Sequence, residues 1–226
     1  VMDYGLHLQI LFLKRVLRSR RLLQLAFRRF VSAFLIRNWK VTDRSSSMLV
    51  MKHEAFRHIE IELFVPRDQL ADALRFTHEV IKVAAGRDST LSANNQRRVD
   101  GLSMQDALAG LHDQYCHHYP ICVRRVLPDD TLISMASEGE QDWYALSFIS
   151  YANPARRAGF FLFANFMAQS MSQLFHARPH WGKVCPLEAN ELTSLYPQFD
   201  DFRTVCNTLD SQGVFQNDWT AALLED

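Results

Sequence analysis

The order of strand-like and helix-like segments constrains the fold of this chain more than any other feature of its sequence. Apolar and polar residues alternate over residues 58–65 and the pattern stops at Pro66, which is typical of a half-buried strand. Three further strand candidates, separated by turn signals, follow at residues 121–127, 132–136 and 143–151. Residues 159–175 are strongly apolar and rich in Phe and Met, which indicates a core helix. We therefore predict an α+β fold, an antiparallel sheet covered by helices on one face.

Shorter segments between the first two strands predict two helices separated by a loop. Asp68 is a candidate cap for a helix over residues 69–85. The apolar stripe of this helix comprises Leu70, Leu74, His78 and Ile81. Residues 87–101 are polar and lack periodicity, so we predict a loop there. Ser103 is the candidate cap of a second helix over residues 103–117.

The first 41 residues differ from the rest in their charge. Nine Lys or Arg residues and no acidic residue lie between Tyr4 and Thr42, interleaved with apolar residues, which predicts one or two basic amphipathic helices. No apolar run reaches the roughly 18–20 residues that cross a bilayer, and the segment does not resemble a secretory signal. Three roles stay open: a helix on a membrane surface, a helix docked on a partner domain, and a solvated cationic helix pair.

A polar hinge at residues 42–47 ends this basic region. We therefore divide the chain into an amino-terminal basic helical region, residues 1–41, and an α+β domain, residues 42–226. We expect a cytoplasmic location, with a peripheral position on a membrane as the alternative.

Composition narrows the classes of function. The chain has 226 residues and no net charge, so it lacks the field that attracts nucleic acid, and we expect no nucleic-acid partner. Its four cysteines are irregularly spaced, which favours small buried thiols in a reducing compartment. Cys116, His117 and His118 are the closest approach to a metal motif, but adjacent histidines cannot share one helix face. We predict no metal site.

Two carboxylates lie on one face of the first strand candidate. Glu60 and Glu62 are two residues apart, so their side chains point to the same side of a strand. Such a pair can serve in acid–base catalysis, but it is more often a solvated or arginine-paired face. We favour the second interpretation.

A turn near the carboxyl end places a cation beside two ring systems. Pro179 and Gly182 disfavour a regular helix, so the segment predicts a turn that presents His180, Trp181 and Lys183. A Tyr-Pro-Gln-Phe segment follows at residues 196–199, and the pattern Leu-Asp-x-x-Gly-x-Phe-x-Asn occupies residues 209–217.

These segments resemble the carboxyl end of the aldonolactone oxidases. These are flavoproteins of the vanillyl-alcohol oxidase superfamily and include gulonolactone, D-arabinono-1,4-lactone and alditol oxidases. In that family a His-Trp-(Gly/Ala)-Lys turn precedes Tyr-Pro-x-Phe and then Leu-Asp-x-x-Gly-x-Phe-x-Asn, in the same order. The resemblance implies oxidation of a CH–OH group of a sugar lactone, polyol or related hydroxylated compound by hydride transfer to FAD.

The resemblance also assigns roles to the residues around the cofactor. Lys183 is the catalytic candidate that stabilises negative charge on the reduced flavin. His180 and Trp181 would form the pocket wall near the flavin, and Asn217 would contact the cofactor or the backbone near it.

The substrate side of the site is implied in the same way. Arg124 would hold a substrate oxygen through parallel hydrogen bonds and is the second catalytic candidate. The family carries Val-Glu-Val-Arg where this chain has residues 121–124, so Cys122 replaces a carboxylate. Ser147 and Ile149 stand where alditol oxidases carry His and Thr. These changes imply an altered or less polar substrate.

One expected element of such an enzyme is missing from the sequence. The eight glycines are scattered singly, and nothing resembles a Gly-rich phosphate loop. We therefore expect FAD to be bound mainly by a domain or partner outside this chain, of which this chain is the substrate-side half, whether as subunit, fragment or remnant. The alternative is a non-catalytic interaction module that keeps the fold and sits on a membrane surface.

Cys122→Glu tests the substrate argument by restoring the carboxylate of the family pattern. In a complex with a FAD-binding half, this variant should oxidise sugar lactones or polyols faster than the parent chain, because the lost carboxylate accounts for the shift in substrate. The measurement is the rate of flavin reduction by each compound. A folded variant without any gain contradicts the argument.

Overall fold

A computed structural model describes residues 42–46, 58–151 and 157–224, together with positions 8, 12, 22, 25 and 29. The chain divides into two compact units, Val1–His58 and Ile59–Asp226. The five described positions in the basic region are helical. The amphipathic helices predicted for residues 1–41 otherwise lie outside the described residues and stay a prediction.

The second unit is built on a four-stranded antiparallel open sheet. Its strands are β1 (His58–Pro66), β2 (Cys122–Val126), β3 (Trp143–Tyr151) and β4 (Arg178–Pro179), in the order β2-β3-β1-β4. Strands β2 and β3 pair antiparallel with Cys122 opposite Ser147. Strands β1 and β4 pair antiparallel with Phe64 opposite Arg178. Both long predicted strands at residues 58–65 and 143–151 are therefore present.

Seven helices of this unit lie within the described residues. They are α1 (Leu70–Ala84), α2 (Ala93–Gly101), α3 (Gln105–Leu111), α4 (Ala158–Phe175), α5 (Ala189–Leu195), α6 (Phe199–Leu209) and α7 (Asp218–Leu224). The combination of helices with an antiparallel sheet confirms the α+β prediction. None of the described helices is long and apolar enough to cross a membrane.

The two faces of the sheet have different surroundings because side chains alternate along each strand. On one face, Ile61, Leu63 and Phe148 are fully buried in a core cluster that includes residues of α1 and α4. The opposite face carries Glu60, Glu62 and their partners instead. Glu60 and Glu62 therefore lie on the face of the sheet opposite the main core.

Helix α4 supplies most of the aromatic core, as its composition predicts. Its buried side chains include Phe160, Phe163, Phe166, Met167 and Met171. The thiols behave differently from the prediction of buried cysteines, because Cys122 is exposed on β2 and the other three are half-buried. An edge strand with outward-facing positions explains the exposure of Cys122.

The prediction of a strand at residues 132–136 was wrong. This segment contains bends and turns, and only an isolated bridge joins Asp129 to Ser137. The Asp129 carboxylate accepts hydrogen bonds from the hydroxyls of Thr131, at 2.6 Å, and Ser134, at 2.6 Å. These local bonds close the chain into turns and compete with strand pairing.

The predictions of a loop at residues 87–101 and of a helix at residues 103–117 also need correction. Residues 87–101 were predicted as a loop, yet α2 forms there with Asn95 and Val99 buried. Helix α3 ends at Leu111, and Ser103 adopts a left-handed conformation with φ of 57°, so it does not cap the helix. A polar helix such as α2 buries few residues, so its sequence shows little apolar periodicity.

The first helix exists, and Leu70, Leu74 and Ile81 of the predicted stripe pack against the core, but its most buried side is rotated from that stripe. Phe76, Val80 and Val83 are buried, whereas His78 is exposed. Gln69 takes the cap position without a side-chain hydrogen bond, so Asp68 is not the cap.

Gly159, near the start of α4, lies close to the backbone of Gln114. A Cβ at this position would overlap the backbone carbonyl oxygen of Gln114, whereas nothing lies within 4 Å of a Cβ added at Gly110 on α3. Gly159→Ala is expected to lower the free energy of unfolding by about 1–3 kcal/mol because backbone must shift. Gly110→Ala should be neutral or stabilising by up to about 1 kcal/mol, because alanine favours a helix. Urea denaturation of both variants measures the difference, and equal effects would contradict this packing.

Candidate functional site

A fully buried carboxylate organises the face of the sheet opposite the main core. Glu62 on β1 has no exposed side-chain area. Its Oε1 accepts hydrogen bonds from Ser147 Oγ, at 2.6 Å, and from the Arg124 guanidinium. Its Oε2 accepts a hydrogen bond from Lys183 Nζ at 2.7 Å. Three separate parts of the chain thus meet at one carboxylate.

The strand register explains how Ser147 and Arg124 reach Glu62. Arg124 lies opposite Ala145, and Cys122 lies opposite Ser147, so these four positions occupy neighbouring places on β2 and β3. Strand β3 lies directly beside β1, which carries Glu62. Residues two apart on a strand share a face, and this places the hydroxyl and the guanidinium on the side of the carboxylate.

Lys183 reaches the same carboxylate from the turn that follows β4. The backbone N–H of His180 donates to the Glu62 carbonyl oxygen at 2.9 Å, and the N–H of Val184 donates to the Glu60 carbonyl oxygen at 3.0 Å. These two bonds attach both ends of the turn to β1. Within the turn, the Lys183 N–H donates to the His180 carbonyl oxygen at 3.1 Å. The predicted turn is therefore present and is held rigidly against the strand.

The ammonium of Lys183 bridges the two glutamates of β1. Its Nζ lies 2.7 Å from Glu60 Oε1 and 2.7 Å from Glu62 Oε2. An ammonium group has three N–H donors, so one donor remains for another ligand. The Lys183 side chain is 22% exposed.

The hydrogen bonds to Glu62 keep it ionised despite its burial. Burial alone raises the pKa of the carboxyl group, but the bonds from Lys183, Ser147 and Arg124 outweigh that effect and lower the pKa to about 2. The bond to Glu62 in turn raises the pKa of Arg124. Glu62 is therefore a fixed negative charge at neutral pH.

His180 is fixed in orientation by its own turn. Its Nδ1 accepts a hydrogen bond from the Gly182 N–H at 3.0 Å, so in the neutral ring Nε2 carries the proton. Burial and the nearby Lys183 lower the pKa of His180. The ring lies 6.1 Å from that of Phe64. The imidazole is thus a neutral donor beside the charged group.

Trp181 belongs to an aromatic cluster next to the site. Its indole N–H donates to the carbonyl oxygen of Ile133 at 2.9 Å. Its ring packs against Tyr196, at 5.2 Å, and Trp219, at 6.4 Å. Trp181 therefore supports the turn from the core side. Its predicted contact with the cofactor stays a prediction.

Asn217 lies at the start of α7. Its Oδ1 accepts hydrogen bonds from the N–H groups of Trp219 and Thr220, both at 3.0 Å, which is the bonding of a helix cap. This local bonding accounts for the residue without a ligand. Its predicted role near the cofactor is likewise left as a prediction.

Cys122 and Ile149 flank the charged group on the strands. Cys122 is exposed on β2, opposite Ser147. Ile149 is half-buried, two residues beyond Ser147 on β3. Arg124, Cys122, Ser147 and Ile149 thus occupy neighbouring positions on β2 and β3, and their substrate roles stay a prediction.

Sequence reasoning missed the importance of Glu62. The arginine-paired interpretation of the two glutamates is correct for Glu62, but the solvated one is wrong because this carboxylate is fully buried. The alternation of Glu60 and Glu62 before Pro66 was the available signal. The histidines at residues 117–118 have a different setting. His117 Nδ1 lies 2.9 Å from the Tyr115 hydroxyl, and burial lowers its pKa to about 4.

An α+β domain in which a lysine and an arginine are held at a buried carboxylate on one sheet face is the class defined by this geometry. A family model of D-arabinono-1,4-lactone oxidase matches residues 8–223. The chain therefore belongs to the D-arabinono-1,4-lactone oxidase family.

Individual relatives show how much of such a protein this chain represents. It is 83% identical to a long-chain alcohol oxidase of an uncultured marine euryarchaeote, over 99% of this chain and 47% of that protein. It is 34% identical to an L-gulono-1,4-lactone dehydrogenase of Mycobacterium tuberculosis, over 47% of this chain and 23% of that protein. An alditol oxidase of a Streptomyces species is 43% identical over 51 residues, 23% of this chain and 12% of that protein. The chain spans about half the length of the euryarchaeal relative.

Glu62→Gln should change the pH dependence of stability. The folded pKa of about 2 lies below the ordinary 4.5, so the carboxylate stabilises the fold above pH 4.5, and this stabilisation is lost as the pH falls towards 2. A difference of this size corresponds to about 3 kcal/mol of unfolding free energy at neutral pH. The variant should lose stability at pH 7 and show a flatter profile between pH 4.5 and 2.

Glu60→Gln is the matched control, because Glu60 is bonded to Lys183 while Glu62 also binds Arg124 and Ser147. It should cost less stability and retain most of the acid-dependent loss. Denaturant unfolding across the pH range measures both variants. Similar curves for the two would contradict the special role of Glu62.

Proposed function

We propose that this chain forms the substrate-side part of a FAD-dependent oxidoreductase that oxidises a CH–OH group. Its family and its relatives, named as oxidases and dehydrogenases of lactones and alcohols, support this reaction class. The observation that carries the proposal is the meeting of Lys183 and Arg124 at the buried Glu62. Two cations are thereby held at one place on a sheet face.

The donor set fits the polar edge of a flavin ring. Two of the three N–H groups of Lys183 donate to glutamates, which leaves a third donor. His180 in its neutral form carries an N–H donor at Nε2. These are the residues that would hold the ring system of FAD. Because the sequence has no Gly-rich phosphate loop, the pyrophosphate would be bound by another domain or partner. When bound, the flavin supplies the hydride acceptor.

The cations and the carboxylate have separate tasks in this proposal. Arg124 is 61% exposed and has donors besides the one given to Glu62, so it can bind and orient a substrate oxygen. Lys183 stabilises negative charge that develops beside it. With a pKa of about 2, Glu62 is too weak a base to accept a proton at neutral pH. It positions both cations.

The substrate is proposed to be less polar than a sugar lactone. Three side chains lie near Arg124 on β2 and β3: the thiol of Cys122, the hydroxyl of Ser147, which already donates to Glu62, and the alkyl chain of Ile149. The euryarchaeal relative is named a long-chain alcohol oxidase, in agreement with an apolar chain beside the reacting carbon. The names of the lactone and alditol enzymes support polar substrates as the second candidate.

Lys183→Met tests the role of the ammonium. In a complex with the remaining part of the euryarchaeal relative and FAD, substrate should reduce the flavin of the variant about tenfold to a thousandfold more slowly than that of the parent chain. The reason is that the negative charge developing beside residue 183 loses its counter-ion. Anaerobic flavin reduction by medium-chain alcohols and by lactones measures the rate.

Lys82→Met on α1 is the control, since its Nζ lies 3.5 Å from the surface residue Asp88. It should react like the parent chain. An unchanged rate for Lys183→Met removes this residue from the chemistry, and a complex inert towards every alcohol favours the alternative of a non-catalytic interaction module.

A further inference from the structure

Apolar side chains accumulate on the surface at the carboxyl end of the described chain. We call this surface the apolar ridge, and it consists of Val205, Leu209, Val214, Phe215 and Trp219. Phe215, Leu209 and Val214 are 85%, 80% and 72% exposed, more than any other large apolar side chain among the described residues. Exposed apolar side chains concentrated within one short stretch of chain are candidates for an interaction site.

The ridge is held outward by its own hydrogen bonds. The Asp210 carboxylate accepts the N–H of Val214 at 2.7 Å and that of Phe215 at 2.8 Å. Gly213 supplies the left-handed turn between them, with φ of 67°. The loop is therefore bonded in a shape that exposes the Phe215 ring.

One member of the ridge contacts the turn of the candidate site. Trp219, one of its members, packs edge-on against Trp181 at 6.4 Å between ring centroids. Trp181 is flanked by His180 and lies two residues before Lys183, whose side chain belongs to the charged group at Glu62. The ridge is therefore linked through this ring contact to the turn that carries Lys183.

We infer that the apolar ridge is the docking surface for the flavin-binding part of the enzyme. This inference rests on the proposed function. The matched segment of the euryarchaeal relative is 47% of its length, so a domain-sized part of that protein is available as the occupant. Asp201, four residues before Val205, and Asp218, directly before Trp219, are exposed, which favours an apolar partner surface rimmed by basic residues.

Thiol labelling tests the burial of the ridge directly. Val214→Cys should react rapidly in the chain alone and on the order of tenfold more slowly in a complex with the remaining part of the euryarchaeal relative, because the interface must open first. The complex is made by co-expression or by fusing the two parts in one polypeptide. Leu162→Cys is the matched control on α4, where Leu162 is 50% exposed, and its rate should stay unchanged. Peptide mass spectrometry separates the new thiol from the four native cysteines.

Phe215→Ser provides a second measurement. It should raise the Kd of the complex about tenfold to a hundredfold, as expected for an aromatic anchor of an interface. Because the ring is exposed, thermal unfolding of the chain alone should not change. Phe161→Ser on α4, where the ring is 40% exposed, is the control and should bind like the parent chain.

Equal labelling of Val214→Cys in chain and complex overturns the inference, and so does the absence of a complex in both arrangements. Labelling of the chain alone that slows with rising protein concentration also overturns it, because a second copy would then cover the ridge. A complex that reduces flavin while Val214→Cys stays accessible sustains the proposed function and removes this interface. A complex with a protected ridge that oxidises no alcohol supports the interface and contradicts the proposed function.

Discussion

The buried ion group around Glu62 is the interaction on which the site depends. One carboxylate joins β1 to the guanidinium of β2, the hydroxyl of β3 and the ammonium of the turn after β4. Desolvating a carboxylate is costly, and only several charged and polar donors together offset that cost. The same hydrogen bonds that offset the cost of burying Glu62 also fix the positions of Lys183 and Arg124.

Charge balance in this group bears on what can bind there. Glu60 and Glu62 face Lys183 and Arg124, so two negative charges meet two positive ones. Such a balanced group has no net charge to attract or repel an ion. Local positive potential remains at Arg124, whose guanidinium extends into solvent. This distribution is compatible with the proposed alcohol substrate, which would be held by hydrogen bonds and not by its own charge.

Long periodic segments were predictable from sequence, whereas contacts between distant residues were not. The apolar runs at β3 and α4 identified both elements because their buried residues repeat over many positions. The Pro179 and Gly182 signals likewise located the turn. Glu62 acquires its importance from Arg124 and Lys183, which are 62 and 121 residues away in the chain. No local pattern reveals such partners. The false strand near Asp129 shows the reverse case, in which local side-chain bonds override an apolar run.

The attachment of the turn to β1 at His180 and at Val184 constrains how this protein can diverge. Between those two anchors the number of residues is fixed, because adding or removing one would withdraw the ammonium from the glutamates. Side chains on β2 and β3, by contrast, can be exchanged without altering any backbone spacing. New specificity is therefore expected to evolve by point substitution on β2 and β3, whereas selection should act against insertions and deletions in the turn between His180 and Val184.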